Sequence, residues 1–318
     1  MVHGAGADAR ALLPRAPPMP RVTVLQRVLP HYRIPFFRAL HRRLQRDAIE
    51  LRLIYGQERA GTVPRTVPLE EEWARRIDNR YVALPGAELV WQPALAALEG
   101  ADLVVLEPSI RLVLSDLLLL RARWGRAAIA CWGHGRNFQS TAAHGRRENL
   151  RRALSRRAAW WFAYTSLSAD VVAQSGYPRE RITVVQHPIA TQELAGGRAA
   201  VSDAALARLR ERLGIRSANV GVYCGGLYAD KRLDFLLRSC LEVRRRVPDF
   251  HAIFVGDGPE AGKIAAAAAA HGWIHYAGAR FGRERAAYFR LGRALLMPGL
   301  VGLAIVDSFV ASLPIFQR

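Results

Sequence analysis

The stretch VYCGGLYADKR, residues 222–232, is the part of this chain whose reading decides the fold. A β-branched and aromatic run ends in Gly225 and Gly226, and a helix-period segment begins five residues later. Glycines at such a corner let the backbone turn sharply and approach an anion closely, while the helix start offers free N–H groups. Lys231 at a helix start opposes the helix dipole, a cost that an anion in front of the helix would offset. An ordinary tight turn carrying a surface Lys231 and Arg232 is the competing reading.

Two more corners of the same kind follow. In FVGDGPE, residues 254–260, a strand runs into Gly256, Asp257 and Gly258, then Pro259 opens a helix whose dipole Glu260 complements. The third glycine of the dinucleotide fingerprint is absent. In PGLVGLAIVD, residues 298–307, a strand over 294–297 opens into a loop with Gly299, Gly302 and Leu303. Asp307 is expected about a turn and a half inside the next helix. A carboxylate there suits a sugar hydroxyl, as in other nucleotide-binding folds; a solvated helix position is the alternative. Three strand–glycine–helix corners at the carboxyl edge of one sheet form a rim that faces phosphate and nucleotide.

Outward from these corners the chain alternates short β-branched runs with helix-period segments, the pattern of parallel α/β domains. Strands are expected at 22–28, 49–55, 81–84, 103–106, 127–132, 161–164 and 182–185, with a first helix from about Pro35 and a surface loop over 58–79. After a small-residue stretch with Gly196 and Gly197 the alternation restarts: helix 203–213, strand 220–224, helix 231–246, strand 251–255, helix 259–271, strand 274–276, helix 283–292, strand 294–297 and helix 302–312. A last strand begins at 313–316. This divides the chain into a disordered extension (1–20), an N-terminal Rossmann-like domain (21–190), a linker (191–201) and a C-terminal domain that carries the three glycine corners (202–318). Two such α/β domains imply a cleft at the carboxyl ends of two sheets.

With 318 residues, 51% of them hydrophobic, the chain can build two cores and is neither disordered nor fibrous. No apolar run approaches the ~20 residues of a membrane span, and the first residues lack the apolar core of a signal peptide. Cys131, Cys224 and Cys240 have no metal-like or redox-like spacing and read as core thiols of a cytoplasmic protein. The net charge of +19 is nearly all arginine, Lys231 and Lys263 being the only lysines. Without a zinc-finger, helix-turn-helix or aromatic RNA-binding pattern, the charge argues for an anionic membrane surface over nucleic acid. A helix expected over 146–161 interleaves six arginines with Leu150, Leu154, Ala158 and Trp161 on one face. That face suits a membrane surface, or packing on the sheet.

The three corners, with VPDFHAIFVGDGPE at 247–260 and 298–314, resemble the C-terminal domain of family 4 glycosyltransferases, which are retaining enzymes of the GT-B fold. The resemblance extends over 21–316, including VLPHYRIPFF at 28–37 and CWGHGRNFQ at 131–139. It implies two Rossmann-like domains and transfer of a sugar from a UDP- or GDP-sugar to a hydroxyl acceptor, a lipid-linked saccharide or surface polysaccharide. It also implies retention at the anomeric carbon, no metal and no further cofactor. By the same resemblance Lys231 binds the donor diphosphate, Asp307 holds the ribose, and Gly302 and Leu303 present backbone N–H groups. His134 lines the reacting centre, with His31, Gly133, Gly135, Arg136 and Asn137 on the acceptor side. The family's diphosphate-binding arginine falls on Gly226, with Arg232 as its expected substitute, and the first of its two glutamates falls on Gly299. His187 and Ala190 stand where relatives carry Asn and Asp. The resemblance further implies a second domain cut short. The competing readings are a donor-binding protein without transfer activity, favoured by that truncation and by Gly226 and Gly299; another GT-B enzyme, an epimerase or an inverting transferase; and a nucleic-acid-binding module, favoured only by charge.

Overall fold

The computed structural model describes residues 19–60, 62, 66–85, 87–109, 111–135, 146–186 and 191–317. The extension expected over 1–20 lies almost wholly outside these residues, as do Arg136, Asn137, His187 and Ala190. The chain separates into two compact units, 1–188 and 189–318.

Unit 1 is built from β1 (Arg21–Gln26), α1 (Ile34–Arg46), β2 (Glu50–Tyr55), β3 (Ala74–Arg76), β4 (Arg80–Leu84), β5 (Ala87–Trp91), β6 (Leu103–Leu106), α2 (Val113–Arg121), β7 (Ala128–Gly133), α3 (Arg146–Ser155), β8 (Trp160–Ala163), α4 (Ser166–Gln174) and β9 (Ile182–Val184). Seven of these strands form a parallel sheet in the order β3-β2-β1-β6-β7-β8-β9. Its strands β6, β7 and β8 are continuous apolar runs because helices cover both faces of such a sheet, whereas the inner strand β1 also buries Thr23 and Gln26. On one face Phe37 of α1, completely buried, packs with Leu51, Leu53 and Trp132. On the other, Trp161 and Leu154 pack with Leu106 and Leu119. Thr165 caps α4 by accepting the Ser168 N–H at 3.1 Å.

Unit 2 contains α5 (Thr191–Ala200), α6 (Asp203–Arg212), β10 (Val220–Cys224), α7 (Leu233–Arg246), β11 (His251–Val255), α8 (Ala261–Ala270), β12 (Ile274–Gly278), α9 (Gly282–Leu291), β13 (Ala294–Leu296), α10 (Ala304–Ala311) and β14 (Ile315–Phe316). Its parallel sheet has the order β12-β11-β10-β13-β14. The sequence-based fold class, α/β with two Rossmann-like domains, is the one observed.

Several local expectations are corrected. Residues 191–201 are not a linker: α5 packs on α9 and α10, Leu194 is buried, and the Arg198 guanidinium donates to the Ala311 carbonyl at 2.6 Å. The small residues that suggested a linker serve helix packing, since a Cβ on Gly197 would stand 3.1 Å from the Cβ of Ala286. The helix expected over 146–161 stops at Ser155, and Trp161 is buried in β8 rather than displayed on a helix face. The expected loop 58–79 contributes the edge strand β3, and the strand expected at 81–84 pairs with β5 in a separate antiparallel hairpin. All three cysteines are buried and none is in a disulfide.

At the end of the second sheet away from the corners, His251 Nδ1 and His275 Nε2 lie 3.0 Å apart, with rings stacked at 5.3 Å. Burial, then the neighbouring His251, pushes the His275 pKa down to about 4; burial and Arg244 lower that of His251. Both folded values lie below the unfolded imidazole value of about 6.5. The stability that depends on their neutrality is therefore complete above that pH and is lost as pH falls from about 6.5 toward 4. Melting curves of His275→Gln should show a smaller acid-side loss than the wild type, by about 1 kcal/mol or roughly 2–4 °C. Equal acid-side slopes in both proteins would remove the pair as the cause.

Candidate functional site

In unit 2 the first two corners are laced together by backbone hydrogen bonds. Gly225 N–H donates to Val255 O at 3.0 Å, Leu227 N–H to Asp257 O at 2.9 Å, and Glu260 N–H to Leu227 O at 3.0 Å. Gly256 adopts φ +147°, and a Cβ there would lie 1.9 Å from the Gly225 carbonyl oxygen; one on Gly258 would lie 2.4 Å from that of Leu227. These two glycines therefore permit corner-to-corner contact, whatever else they touch. Asp257 Oδ1 accepts the Gly258 N–H at 2.7 Å, and Tyr223 Oη donates to Gly226 O at 2.7 Å.

Lys231 is not at the start of an α-helix. It ends a 3-10 turn over Ala229–Lys231, Arg232 follows in the left-handed region at φ 56°, and α7 begins at Leu233. The Lys231 ammonium donates to the carbonyl of Leu300, and the Leu300 N–H donates to Asp230 O at 3.4 Å. The first and third corners are thus tied through the side chain expected to meet phosphate. Gly299 lies between them with no room for a side chain, because a Cβ would stand 2.3 Å from Asp230 O and 2.7 Å from the Lys231 backbone. Arg232 is exposed and lays its guanidinium over the Phe235 ring at 5.3 Å.

The third corner leads through Gly302, at φ +57°, and Leu303 into α10. Asp307 lies in the first turn of this helix, not a turn and a half inside it. Its carboxylate meets both terminal nitrogens of Arg285 on α9 at 3.3 Å, a two-pronged pair that fixes its plane. Both charges act on the buried thiol of Cys224. Burial pushes its thiol up to about 12, with Arg285 pulling down and Asp307 pushing up. Arg285 was not legible in the sequence, where it is one of many arginines on an amphipathic helix.

In unit 1 the candidates gather where β1, β6, β7 and β8 end. His134 follows β7, its Nδ1 3.1 Å from Ser168 Oγ and its ring 4.6 Å from that of Tyr164. Burial of part of the ring, then Arg33, lowers its pKa from the ordinary imidazole value. Gly133 ends β7, and Gly135 turns away at φ +76°. His31 is exposed in the 3-10 turn His31–Arg33, its ring edge-on to Tyr32 at 5.8 Å.

The inward residue of that turn is Arg33, which sequence reading passed over. It is 7% exposed. It donates to Tyr164 Oη at 2.6 Å and to Gln26 Oε1, stands 3.7 Å from Glu107 Oε1, and lies over the Trp132 ring at 5.3 Å. Burial pushes the Tyr164 phenol up to about 12, with Arg33 opposing. Arg33→Met removes a donor from a buried phenol and a buried amide oxygen, and the cation that stands beside Glu107. Such a loss costs about 2 kcal/mol, measurable as a lower urea midpoint at an unchanged slope. An unchanged midpoint would mean that Arg33 contributes nothing to unit 1.

Residues 218–316, a stretch that spans all three corners, match the family model of glycosyl transferases group 1. No protein of curated function matches the chain. Among solved structures, Anabaena HepE in complex with UDP superposes with a TM-score of 0.62 at 15% identity, covering 93% of this chain and 80% of that one. The UDP-GlcNAc 2-epimerase from Methanocaldococcus jannaschii gives a TM-score of 0.59 at 14% identity, covering 93% and 83%. WaaG, a glycosyltransferase involved in lipopolysaccharide biosynthesis, gives 0.59 at 13% identity, covering 93% and 80%. The architecture shared with these structures is the GT-B fold of two Rossmann-like domains, and the group 1 glycosyl transferase match falls on the unit that carries the glycine corners.

Proposed function

We propose that this protein transfers a sugar from a nucleoside-diphosphate donor to a hydroxyl acceptor, with retention at the anomeric carbon. The observation that carries the reading is Lys231, whose ammonium joins the first and third corners within the segment that matches the group 1 model. At this rim Lys231 faces the diphosphate, the N–H groups at the start of α10 from Gly302 onward add partial positive charge, and Asp307 accepts a ribose hydroxyl while Arg285 fixes its orientation. Leaving-group charge is met by an ammonium and helix dipole.

The His134 edge of unit 1 takes the acceptor side. A neutral imidazole there accepts or donates one hydrogen bond to a sugar hydroxyl while Ser168 holds the other ring nitrogen. The acceptor class that best fits the resemblance is a lipid-linked saccharide or surface polysaccharide, used at the cytoplasmic face of a membrane. No described helix is long and apolar enough to cross a membrane.

Arg232 rests its guanidinium face on Phe235, which leaves its in-plane N–H donors for the diphosphate in place of the missing arginine. The packed backbone at Gly299 favours a second reading, epimerisation of a UDP-sugar, because the side chain that meets the donor sugar in family 4 enzymes has no space here. Calorimetry with UDP and GDP, followed by product analysis with UDP-sugars and saccharide acceptors, separates the readings. Glycoside product with retained configuration supports transfer; an epimerised sugar nucleotide without acceptor supports the second reading. Absence of binding by either nucleotide would sink both.

A further inference from the structure

The break of the expected 146–161 helix moves the basic, apolar surface of unit 1 to a different place. Trp161 and Leu154 are core residues, yet Trp124, just beyond the C-terminus of α2, is 78% exposed. Arg157, beyond the end of α3, reaches across to it, lying over the Trp124 ring at 5.8 Å and donating to the Leu120 carbonyl at 2.9 Å. Leu120 is itself exposed. Arg121, Arg123 and Arg126 are exposed around the same turn. No acidic residue occurs in the sequence between Asp116 and Glu148.

From these contacts we infer that the α2–β7 turn, with Trp124 at its tip, is a docking site for an anionic lipid bilayer surface. An indole with an exposed leucine beside it suits the headgroup region, where apolar and polar groups meet. Each arginine close to an anionic leaflet contributes about 1 kcal/mol, screened by salt. The turn precedes β7 and therefore lies at the end of the sheet opposite His134, which follows that strand. Docking there leaves the His134 edge uncovered. A single-stranded nucleic acid is the less favoured occupant, because such sites stack successive bases on several aromatic faces, and here Arg157 already occupies one face of Trp124. The docking face does not depend on the transfer reading, and its test needs no enzymatic activity.

The test is sedimentation of the whole chain with phosphatidylcholine vesicles, alone and with about one-third phosphatidylglycerol. Binding to the anionic vesicles only, weakening as salt rises, is expected. Replacing Arg121, Arg123 and Arg126 together by Gln should weaken it about a hundredfold. Replacing Arg244, Arg245 and Arg246 on α7 removes the same charge from unit 2 and should change it by no more than about threefold. Trp124→Ala should weaken vesicle binding while leaving that of a poly-dT oligonucleotide unchanged. Equal loss in the two triple variants would reduce the effect to net charge and overturn the site. So would no binding to anionic vesicles, or a Trp124→Ala effect confined to the oligonucleotide.

Discussion

Lys231→Ala weakens UDP or GDP binding about a hundredfold, or about 3 kcal/mol, while shifting the unfolding midpoint little. The ammonium stands where the first and third corners of unit 2 meet and is bonded to the Leu300 carbonyl. A diphosphate at that junction would gain a charge-assisted hydrogen bond from the Lys231 ammonium. Interactions with charged groups of this kind contribute about 1.5–3 kcal/mol. The loss in the folded protein without donor is smaller, since the lysine is partly exposed and Leu300 keeps its second link, from its N–H to Asp230 O. Lys231→Arg keeps the charge but carries a wider, planar head, and should recover only part of the affinity. Calorimetry with the free nucleotides reads this directly. An affinity within about threefold of the wild type for Lys231→Ala would remove the diphosphate from this junction. Arg232→Ala should cost less than Lys231→Ala, because the exposed guanidinium lies on Phe235 and is shared with solvent; no loss at all would remove Arg232 from the diphosphate.

The fold was legible where apolar runs are bounded by punctuation. Strands 103–106, 220–224 and 251–255 have the same bounds in sequence and structure, because strands buried on both faces are uninterrupted apolar segments ending at Gly or polar residues. Pattern failed where tertiary contact chose among equal local options. Gly196 and Gly197 look like a linker from composition, but Gly197 is a notch that lets α5 lie on Ala286 of α9. Leu150, Leu154, Ala158 and Trp161 fit one helical stripe, yet the sheet claims Trp161 as a strand residue beside Cys131. Similar limits apply at the site. Glycine corners carry a local signal, so they are visible in the chain. Arg33 carries none, because its partners Gln26, Glu107 and Tyr164 are assembled from three other strand ends. The pairing of Asp307 with Arg285 is hidden for the same reason.

Gly256→Ala is the substitution expected to cost most, about 3 kcal/mol or more, and enough to leave unit 2 unfolded or without its nucleotide rim. Two independent effects act together. The backbone at φ +147° is one that side chains rarely adopt, a strain of about 1–3 kcal/mol. The added methyl would also stand 1.9 Å from the Gly225 carbonyl oxygen, and the obstacle is backbone rather than a side chain that can rotate away. Relief requires the first corner to separate from the second, which stretches the bonds from Gly225 to Val255 and from Leu227 to Asp257. Those bonds aim the loop leading to Lys231, so even a surviving fold should bind nucleotide poorly. Gly262, in the first turn of α8, is the control: no atom lies within 4 Å of a Cβ placed there, and alanine favours the helix by up to about 1 kcal/mol. Gly262→Ala should therefore match or exceed the wild-type melting temperature. A Gly256→Ala protein that melts within about 2 °C of the wild type and binds UDP normally would show that the two corners are not held in contact as described.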